Sequence, residues 1–505
     1  MLESLHVFLF PFLALVIGLV LDATNRRIRF LRIPDSILIF LFALGTSFIL
    51  HLFFPENLMI HIDEKYTWKT VEPGIVVGVL LPLLIFESAV KSNSHLFFRK
   101  QWLLVALTAT VYSLTLILYT ALMLPFLRIM DNWNIFAVML MGAILAATDP
   151  VAVVAILEDI GAPQRIKILV EGESLLNDGI AIFVYQILHN FVLKEVNLPS
   201  YPYTFMHYVA MCASCIVISP LLGYISAHIT VMIIRHGIRE EKRIQAIHYF
   251  FFLFEFMCKL YVHIKYKRSF FFSLDNFYSK FLYLQMFLVI SVYFVWQLGE
   301  IIKGSAALAT VFYGVTLNFL RERLNPRSVE LTLQIWTAFG YWANCIVFMF
   351  SGYAIGLLLF SNPVEIDVIY HLISGILLFP VSLVARMLAL LVFREIWNAL
   401  GSSHIVYDTD YVLLAYGGLK GALALLLVHE FTESVQHDSY ASRVGEKVVL
   451  YASSTVFACL VIQVITVAAK VLSTIAVYTI IRINLKIFRW FLCKHYYPSI
   501  CCSSI

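Results

Sequence analysis

The sequence predicts an all-α polytopic membrane protein with about thirteen transmembrane helices. Hydrophobic residues make up 61% of the 505-residue chain and charged residues 13%, which is about half the charged fraction of a soluble domain. The apolar residues are also gathered into long runs that charged residues separate. Because runs of about 20 apolar residues cross a bilayer as helices, these observations exclude a soluble globular protein.

Thirteen of these runs are read as membrane spans. They lie near residues 5–21, 35–53, 73–90, 102–127, 134–157, 168–193, 204–234, 281–299, 305–319, 331–359, 368–393, 411–429 and 448–481. A further run, 244–264, carries two histidines, a glutamate and a lysine among many aromatic residues. Such a composition is typical of a helix that lies along the membrane interface rather than across the bilayer.

Lysine and arginine residues decide between thirteen and fourteen spans, because cytoplasmic loops carry an excess of both. With thirteen spans, 26 of them lie in loops on the side of residues 22–34 and 7 on the other side. With 244–264 as a further span the division becomes 16 against 16, and the bias is lost. We therefore predict thirteen spans, an outside amino terminus, a cytoplasmic carboxyl terminus and a basic, aromatic cytoplasmic insertion over 235–280.

The composition also excludes several kinds of partner. A net charge of +4 spread over many loops leaves no basic patch that would bind nucleic acid. The eight cysteines lie mostly inside apolar runs, where they pack as small hydrophobic residues and form no disulfide framework. Cys212 and Cys215 have the spacing of metal ligands, but no second Cys or His pair accompanies them. We expect no bound cofactor.

The fifth span contains an interruption near its middle. Thr148, Asp149 and Pro150 follow one another inside the apolar run, and Asp is favoured just before a helix and Pro at its first position. This pattern predicts a helix that begins in mid-bilayer. Its unpaired backbone groups would need another half-helix, water or a bound ion. A simple proline kink is the alternative.

The start of the sixth span concentrates polar residues on one side of a helix. Glu171, Ser174 and Asp178 share a face, while Glu173 and Asn177 stack on the adjacent face. A carboxylate with a hydroxyl one turn away offers the oxygen ligands that hard cations take. Since low dielectric disfavours a charged carboxylate, a proton and a metal cation can compete for Asp178. The alternatives are an interfacial position for Glu171 and a structural ion pair for Asp178.

Two basic residues inside later spans are candidates to compensate these carboxylates, because a lone charge in the bilayer is costly. They are Arg386 in the eleventh span and Lys420 in the twelfth. Lys420 lies in 417–421, where three glycines among five residues predict a second interruption, with close helix packing as the alternative. Interruptions in spans five and twelve, one in each half of the chain, indicate an inverted-repeat transporter with its site between the breaks.

These motifs resemble those of the monovalent cation/proton antiporters of the sodium/proton exchanger type. The resemblance rests on Thr-Asp-Pro-Val-Ala-Val at 148–153, followed by Gly-Glu-Ser-Leu-Leu-Asn-Asp at 172–178. Residues 82–87 also resemble the Pro-x-x-x-Phe-Glu segment of that family, and residues 417–421 resemble its Gly-Leu-Arg-Gly element. Arg386 lies where the family keeps a membrane arginine.

The resemblance implies an inverted-repeat antiporter fold with discontinuous helices in spans five and twelve and a transmembrane domain over 1–481. A mobile core domain would be formed by the spans within 102–193 and 368–481, and a dimerisation domain by those within 5–90 and 204–359. It also implies a homodimer surrounded by membrane lipid, in the plasma membrane or in an endomembrane.

For the site, the resemblance implies that Asp178 carries either the exchanged cation or the proton. Asp149, Ser174 and the Thr148 backbone would complete the coordination of the cation. One titrating aspartate implies electroneutral exchange of one proton for one sodium ion, or another monovalent cation, and hence a role in regulating pH and sodium. An aspartate at position 177 would add a second titrating charge.

A supporting polar network would surround this site. Glu173 would approach the ion through water, or pair with Arg386 or Asn177, and Lys420 would add a further positive charge. In this sequence Lys420 replaces the usual arginine of the family, which keeps the charge and loses the planar fork that bidentate pairing needs.

The sequence departs from the family in two further segments and leaves other functions open. Segment 240–280 is longer and more aromatic than usual, and only a short cytoplasmic tail, 482–505, follows the last span. We expect an exchanger core, a short isoform or a fragment. The alternatives are a potassium/proton antiporter and, less favoured, a cation channel, which would pass current without counter-ion flux. An aspartyl protease dyad of Asp149 and Asp178 is disfavoured by Pro150, so we expect no enzymatic activity.

Overall fold

The described part of the chain is built from α-helices. The computed structural model describes residues 3–27, 35–53, 73–131, 134–148, 154, 157, 164–195, 204–239, 276–323, 326–361, 368–399, 411, 414, 415, 418, 420–434, 448, 455 and 456. These residues include thirteen α-helices and no β-strand, which confirms the predicted all-α class. The helices are α1 Glu3–Arg27, α2 Asp35–Phe53, α3 Pro73–Lys91, α4 Ser94–Asp131, α5 Ile135–Ala146, α6 Gln164–Glu195, α7 Phe205–Ala213, α8 Ser219–Arg239, α9 Asn276–Ile301, α10 Ala306–Phe319, α11 Pro326–Ser361, α12 Val368–Ala399 and α13 Ala422–Ser434.

Each of the first twelve predicted spans contains a described helix. The seventh span contains α7, a π-helical segment over Ser214–Ile218 and α8 in one continuous run, and a short 3-10 turn, Leu320–Arg323, follows α10. Span 448–481 is described only at residues 448, 455 and 456. The total of thirteen spans therefore stays a prediction, although thirteen α-helices are described.

Other predicted features also lie outside the described residues. They are Asp149 and Pro150 in the fifth span, residues 240–275 of the insertion, Gly417 and Leu419 in the twelfth span, and the tail 482–505. The predictions made for them stay predictions.

The described helices differ in how much of a bilayer they can cross. Six stretches are long and apolar enough to span it by length and composition, namely Ser94–Pro125, Gln164–Lys194, Phe205–Arg235, Leu284–Ile301, Val329–Gly356 and Ile373–Ile396. Helices α5 and α10 have only 12 and 14 residues, or about 18 and 21 Å at 1.5 Å per residue. Both are shorter than a hydrocarbon core of about 30 Å. For α5 the reason is the predicted interruption.

Helix α6 lies inside the described bundle and the α7–α8 run lies at its edge. The apolar window of Gln164–Lys194 is 61% buried, whereas that of Phe205–Arg235 is 22% buried. Large apolar side chains such as Phe205, Ile216 and Leu221 are exposed on this run, as expected for a lipid-facing surface. The polar residues of the sixth span are therefore carried by an interior helix.

Two sets of packed helices surround α6. Helix α4 packs against α5, α6 and α12 within the larger apolar cluster. A second cluster joins α3, α8, α9, α10 and α11 around Phe86, Tyr313 and Trp336, and the rings of Phe86 and Trp336 meet edge-on with centroids 4.4 Å apart. Helix α8 approaches α10 so closely that a Cβ on Gly223 would lie 2.7 Å from the Tyr313 nitrogen. Such small residues bring helix backbones together in membranes.

Candidate functional site

The first interruption lies at the end of α5. The helix stops at Ala146, and Ala147 has extended dihedral angles, φ −60° and ψ 140°, although its nitrogen still donates to the Ile144 oxygen at 3.3 Å. Thr148 continues the non-helical chain and is buried, with 3% of its surface exposed. The carbonyls at such a helix end lack partners within the helix and need donors from elsewhere.

Side chains of α6 supply these donors. Ser174 Oγ donates to the Thr148 carbonyl oxygen at 2.5 Å, and Thr148 Oγ1 donates to Ser174 Oγ at 3.1 Å. Asn177 Nδ2 donates to the Ala146 carbonyl at 2.9 Å and to Thr148 Oγ1 at 3.0 Å. All four residues are buried. The structure therefore brings Thr148, Ser174 and Asn177 together, and it docks the unwound chain on the polar face of α6.

This arrangement leaves oxygen atoms directed into the protein interior. The Ala146 carbonyl can only accept, so the amide nitrogen of Asn177 is fixed on that side and its Oδ1 points elsewhere. Within the described residues, Asn177 Oδ1 is buried and has no hydrogen-bond partner. Asp178 is half-buried with its Oδ1 shielded from solvent, and it lies one turn after Ser174 on α6. Carboxylate, amide and carbonyl oxygens are the ligands that hard cations take.

A buried ion pair lies beside this site, at Glu173, one turn before Asn177 on α6. Arg386 Nη2 on α12 donates to Glu173 Oε2 at 2.7 Å, with only 3% and 2% of the two side chains exposed. The same guanidinium donates from Nε and Nη2 to the Leu414 carbonyl at 3.3 and 3.2 Å. Among the partners that the resemblance offers Glu173, the structure selects Arg386. The ion pair therefore joins α6 and α12 to the start of the twelfth span.

The twelfth span is also interrupted. Leu414 and Ala415 are helical, Gly418 lies in a turn, and α13 begins only at Ala422. The Gly418 nitrogen donates to the Ala415 oxygen at 3.1 Å. A Cβ on Gly418 would collide with Cδ of Arg386 and lie 2.6 Å from its Nε. Only glycine therefore lets the guanidinium pass over this turn.

Lys420 follows the turn and is buried, with 2% of its surface exposed. The sequence predicts a positive charge inside the twelfth span, and the buried position of Lys420 agrees with it. A lysine near a helix end commonly extends to the membrane surface instead. The two interruptions thus differ in chemistry: neutral hydroxyl and amide groups hold the first, whereas cationic side chains accompany the second.

Backbone packing fixes the height and rotation of α6. A Cβ on Gly172 would lie 2.8 Å from Leu104 Cδ1 on α4, and a Cβ on Gly179 would lie 2.7 Å from Leu308 Cγ on α10. Thr108 on α4 adds a long hydrogen bond of 3.4 Å to the Glu173 carbonyl. The carboxylate-bearing turn is therefore held between α4 and α10.

Sequence reasoning missed two contacts at this site. The Leu414 carbonyl is a backbone group, so no residue type marks it. Ser305 Oγ donates to the Gly179 carbonyl at 2.8 Å and accepts from the Leu308 nitrogen at 3.1 Å. A serine just before an apolar run is a recognised N-cap signal, and it indicates the start of α10 without indicating the contact to α6.

The family and the fold follow from comparison with known proteins. The model of the family described as "Sodium/hydrogen exchanger, transmembrane" matches residues 11–477. The sodium proton antiporter MjNhaP1 from Methanocaldococcus jannaschii, solved at pH 8, aligns with a TM-score of 0.62 and 19% identity, covering 93% of this chain and 99% of that one. This likeness confirms the predicted antiporter fold.

Curated relatives agree with the family model. "Sodium/hydrogen exchanger 7" of Arabidopsis thaliana is 25% identical over 469 residues, which are 90% of this chain and 35% of the relative. "Low-affinity Na(+)/H(+) antiporter NhaS1" of Synechocystis is 24% identical over 429 residues, covering 84% and 68% of the two chains. The chain thus spans about a third of the length of the Arabidopsis relative. Because the family model covers nearly all of it, the chain belongs to the sodium/hydrogen exchanger family, as the motifs of spans five and six predict.

Proposed function

We propose that this protein exchanges sodium ions for protons across a membrane by alternating access. The observation that carries the proposal is the unwound chain at Ala147 and Thr148, held on α6 by Ser174 and Asn177 one turn or less from Asp178. Interrupted helices with unsatisfied oxygens at mid-membrane depth are where secondary transporters bind their coupling ions. The names of the relatives, which are sodium/proton exchangers and antiporters, support the same reading.

Asp178 is the proposed carrier of the cation and of the proton. Sodium would be coordinated by its carboxylate, by Ser174 and by the backbone of Thr148, with Asp149 completing the set. Asn177 Oδ1 is a further buried oxygen near this point. Each ion neutralises the carboxylate, so the binding of one favours the loss of the other. This competition is the coupling mechanism.

The Glu173–Arg386 pair supports the assignment of Asp178 as the carrier, because Glu173 is already held in an ion pair. Its two charges compensate each other in a buried contact of 2.7 Å, and separating them would leave an uncompensated charge in low dielectric at a cost of several kcal/mol. The pair would therefore stay together during transport and leave Asp178 as the carboxylate that exchanges ions. One proton would be exchanged for one monovalent cation, so we propose that transport is electroneutral.

We also propose the domain division and the orientation that the sequence predicts. The core domain comprises spans within 102–193 and 368–481, and the dimerisation domain those within 5–90 and 204–359. The apolar cluster of α3, α8, α9, α10 and α11 supports a separate dimerisation unit. The protein would act as a lipid-embedded homodimer with a cytoplasmic carboxyl terminus, in the plasma membrane or an endomembrane.

Flux measurements on purified protein in lipid vesicles test the proposed function. An imposed sodium gradient should drive proton movement, and Asp178→Asn should reduce it to the level of empty vesicles. Ser382→Ala is the matched control, because the Ser382 hydroxyl donates to the Phe379 carbonyl of its own helix at 2.9 Å. Wild-type flux in Asp178→Asn would contradict the assigned carrier.

The same vesicles separate the alternative functions. Replacing sodium by potassium tests the potassium/proton antiporter, and current without proton flux would indicate a channel. A rate that changes with a clamped membrane potential would contradict electroneutral exchange.

A further inference from the structure

A serine at the start of α10 links that helix to α6. Ser305 Oγ donates to the Gly179 carbonyl at 2.8 Å, and Ser305 is buried with 1% of its surface exposed. Gly179 directly follows Asp178, the proposed ion carrier. The bond therefore connects a helix of the proposed dimerisation domain to the moving carboxylate-bearing turn of the proposed core domain.

The position of Ser305 is fixed from the side of α8. Its backbone nitrogen donates to Ser219 Oγ at 2.9 Å, and Ser219 Oγ donates to the Ser214 carbonyl at 3.2 Å in the π-helical segment. A Cβ on the preceding Gly304 would lie 2.9 Å from Ser214 Oγ. The π-helical segment and the turn before α10 are thus held together by hydrogen bonds and close packing. We therefore expect Ser305 to move with α8 and α10.

The contact with α6 tolerates little displacement. A Cβ on Gly179 would lie 2.7 Å from Leu308 Cγ and 3.2 Å from the Leu308 nitrogen, so α10 approaches α6 this closely because residue 179 has no side chain. An O–H···O hydrogen bond weakens beyond about 3 Å. A shift of α6 along α10 by a few ångströms therefore breaks the Ser305 bond, and the bond marks one relative position of the two helices.

A second hydrogen bond joins α6 to the same unit farther along. Asn190 Nδ2 donates to the Tyr208 hydroxyl on α7 at 3.1 Å, and the rings of Phe191 and Tyr208 stack with centroids 5.1 Å apart. Residues 179 and 190 occupy the middle and the outer half of α6 in the proposed topology. Opening an outer pathway between α6 and this unit would have to break both bonds, so both favour a conformation that is open to the cytoplasm.

We propose that Ser305 is a positioning residue for ion exchange, whose hydrogen bond to Gly179 stabilises the cytoplasm-facing state and breaks when the carrier turns outward. This inference rests on the proposed function. Losing one ordinary hydrogen bond changes an equilibrium about twofold to tenfold. Since the apparent affinity from each side scales with the population of the state open to that side, the ratio of the two affinities reports this equilibrium.

The variant Ser305→Gly isolates the link to α6 from the helix cap. Glycine at an N-cap costs a helix much less stability than alanine does, but it has no hydroxyl to donate to the Gly179 carbonyl. We expect the ratio of cytoplasmic to outer half-saturating sodium concentration to rise about two- to tenfold in vesicles. Ser305→Thr, which keeps the hydroxyl, should restore the wild-type ratio. Thr310→Val is the control on α10, because the Thr310 hydroxyl donates to the Ala306 carbonyl of the same helix at 2.9 Å.

A second variant keeps the test decisive if Ser305→Gly folds poorly. Tyr208→Phe removes the outer hydrogen bond at nearly constant volume and should shift the ratio in the same direction. An unchanged ratio in the folded variants, or a lower maximal rate with an unchanged ratio, would overturn the positioning role while the proposed exchange stands.

Hydrogen exchange separates failure of this inference from failure of the proposed function. If the wild-type protein exchanges no sodium for protons, backbone amide exchange of the full chain still reports on the link. Ser305→Gly should increase exchange in the peptide that contains Gly179, relative to Thr310→Val. Equal exchange in the two variants would refute the link between α6 and α10.

Discussion

The two interruptions of the membrane helices are alike in backbone, because each is a break held by side chains of another helix, but they differ in the charge of those side chains. At the first, the hydroxyl and amide groups of Ser174 and Asn177 hold the chain after α5. At the second, Arg386 donates to the Leu414 carbonyl and to Glu173. Lys420, which follows Leu414 in the same span, is buried. Broken helices need donors wherever they lie. In the described residues, neutral donors hold the first break, whereas charged side chains surround the second. Under the proposed function, the first break would receive the cation.

This comparison predicts that substitutions at the second break mainly lower the stability of the fold, whereas substitutions at the first mainly lower the affinity for the ion. The largest effect is expected for Arg386→Leu, which leaves the Glu173 carboxylate buried without its cation. The folded state should lose about 3–5 kcal/mol, measured as a lower midpoint of thermal unfolding in detergent.

The double variant Arg386→Leu with Glu173→Leu provides the control for this prediction. It removes both charges, so much of the lost stability should return. Wild-type stability in the single variant would mean that the ion pair does not support the second break.

A smaller loss is expected for Gly418→Ala. The added methyl group collides with Cδ of Arg386, and displacement of a packed side chain costs about 1–3 kcal/mol. Thermal unfolding of Gly45→Ala is the matched comparison, because a Cβ at that helical glycine meets no atom within 4 Å. We expect Gly45→Ala to be neutral or stabilising. Equal unfolding midpoints for the two variants would show that Arg386 does not need the glycine.

The smallest loss of stability is expected at the first break. Ser174→Ala removes the donor to the Thr148 carbonyl and should cost about 1 kcal/mol, the net contribution of an ordinary hydrogen bond. The half-saturating sodium concentration should nevertheless rise, because a proposed ligand is lost. Sodium-driven proton flux measures this effect. A stability loss as large as that of Arg386→Leu, with unchanged sodium affinity, would reverse the comparison.

The sequence predicts those parts of the site that depend on residue type and on spacing along the chain. Aspartate before proline inside an apolar run indicates the first break, and helical periodicity places Ser174 and Asp178 on one face of α6. Charged residues are unfavourable in a bilayer, so the presence of Arg386 and Lys420 inside spans indicates a functional or structural role. Each of these signals depends on neighbours along the chain or on the solvent.

The missing parts depend on contacts between distant segments. Glu173 and Arg386 are 213 residues apart, so periodicity cannot choose between Arg386 and Asn177 as partner. The π-helical segment Ser214–Ile218 has no composition that distinguishes it from α-helix. Helix α4 begins at Ser94, before the predicted span at 102, because a helix can continue beyond the apolar layer into charged residues.

The shortness of α10 has a consequence for the electric field across the protein. Its 14 residues extend about 21 Å, and a hydrocarbon layer of about 30 Å is therefore not crossed by this helix alone. The end that carries Ser305 lies close to the Asp178 turn. In the proposed exchange mechanism, with water reaching both ends of this helix, the insulating path beside Asp178 would be thinner than the surrounding bilayer, and the transmembrane voltage would fall more steeply there. A mutation that left one uncompensated charge on that turn would then make the proposed transport voltage-dependent, at up to about 2.3 kcal/mol per 100 mV.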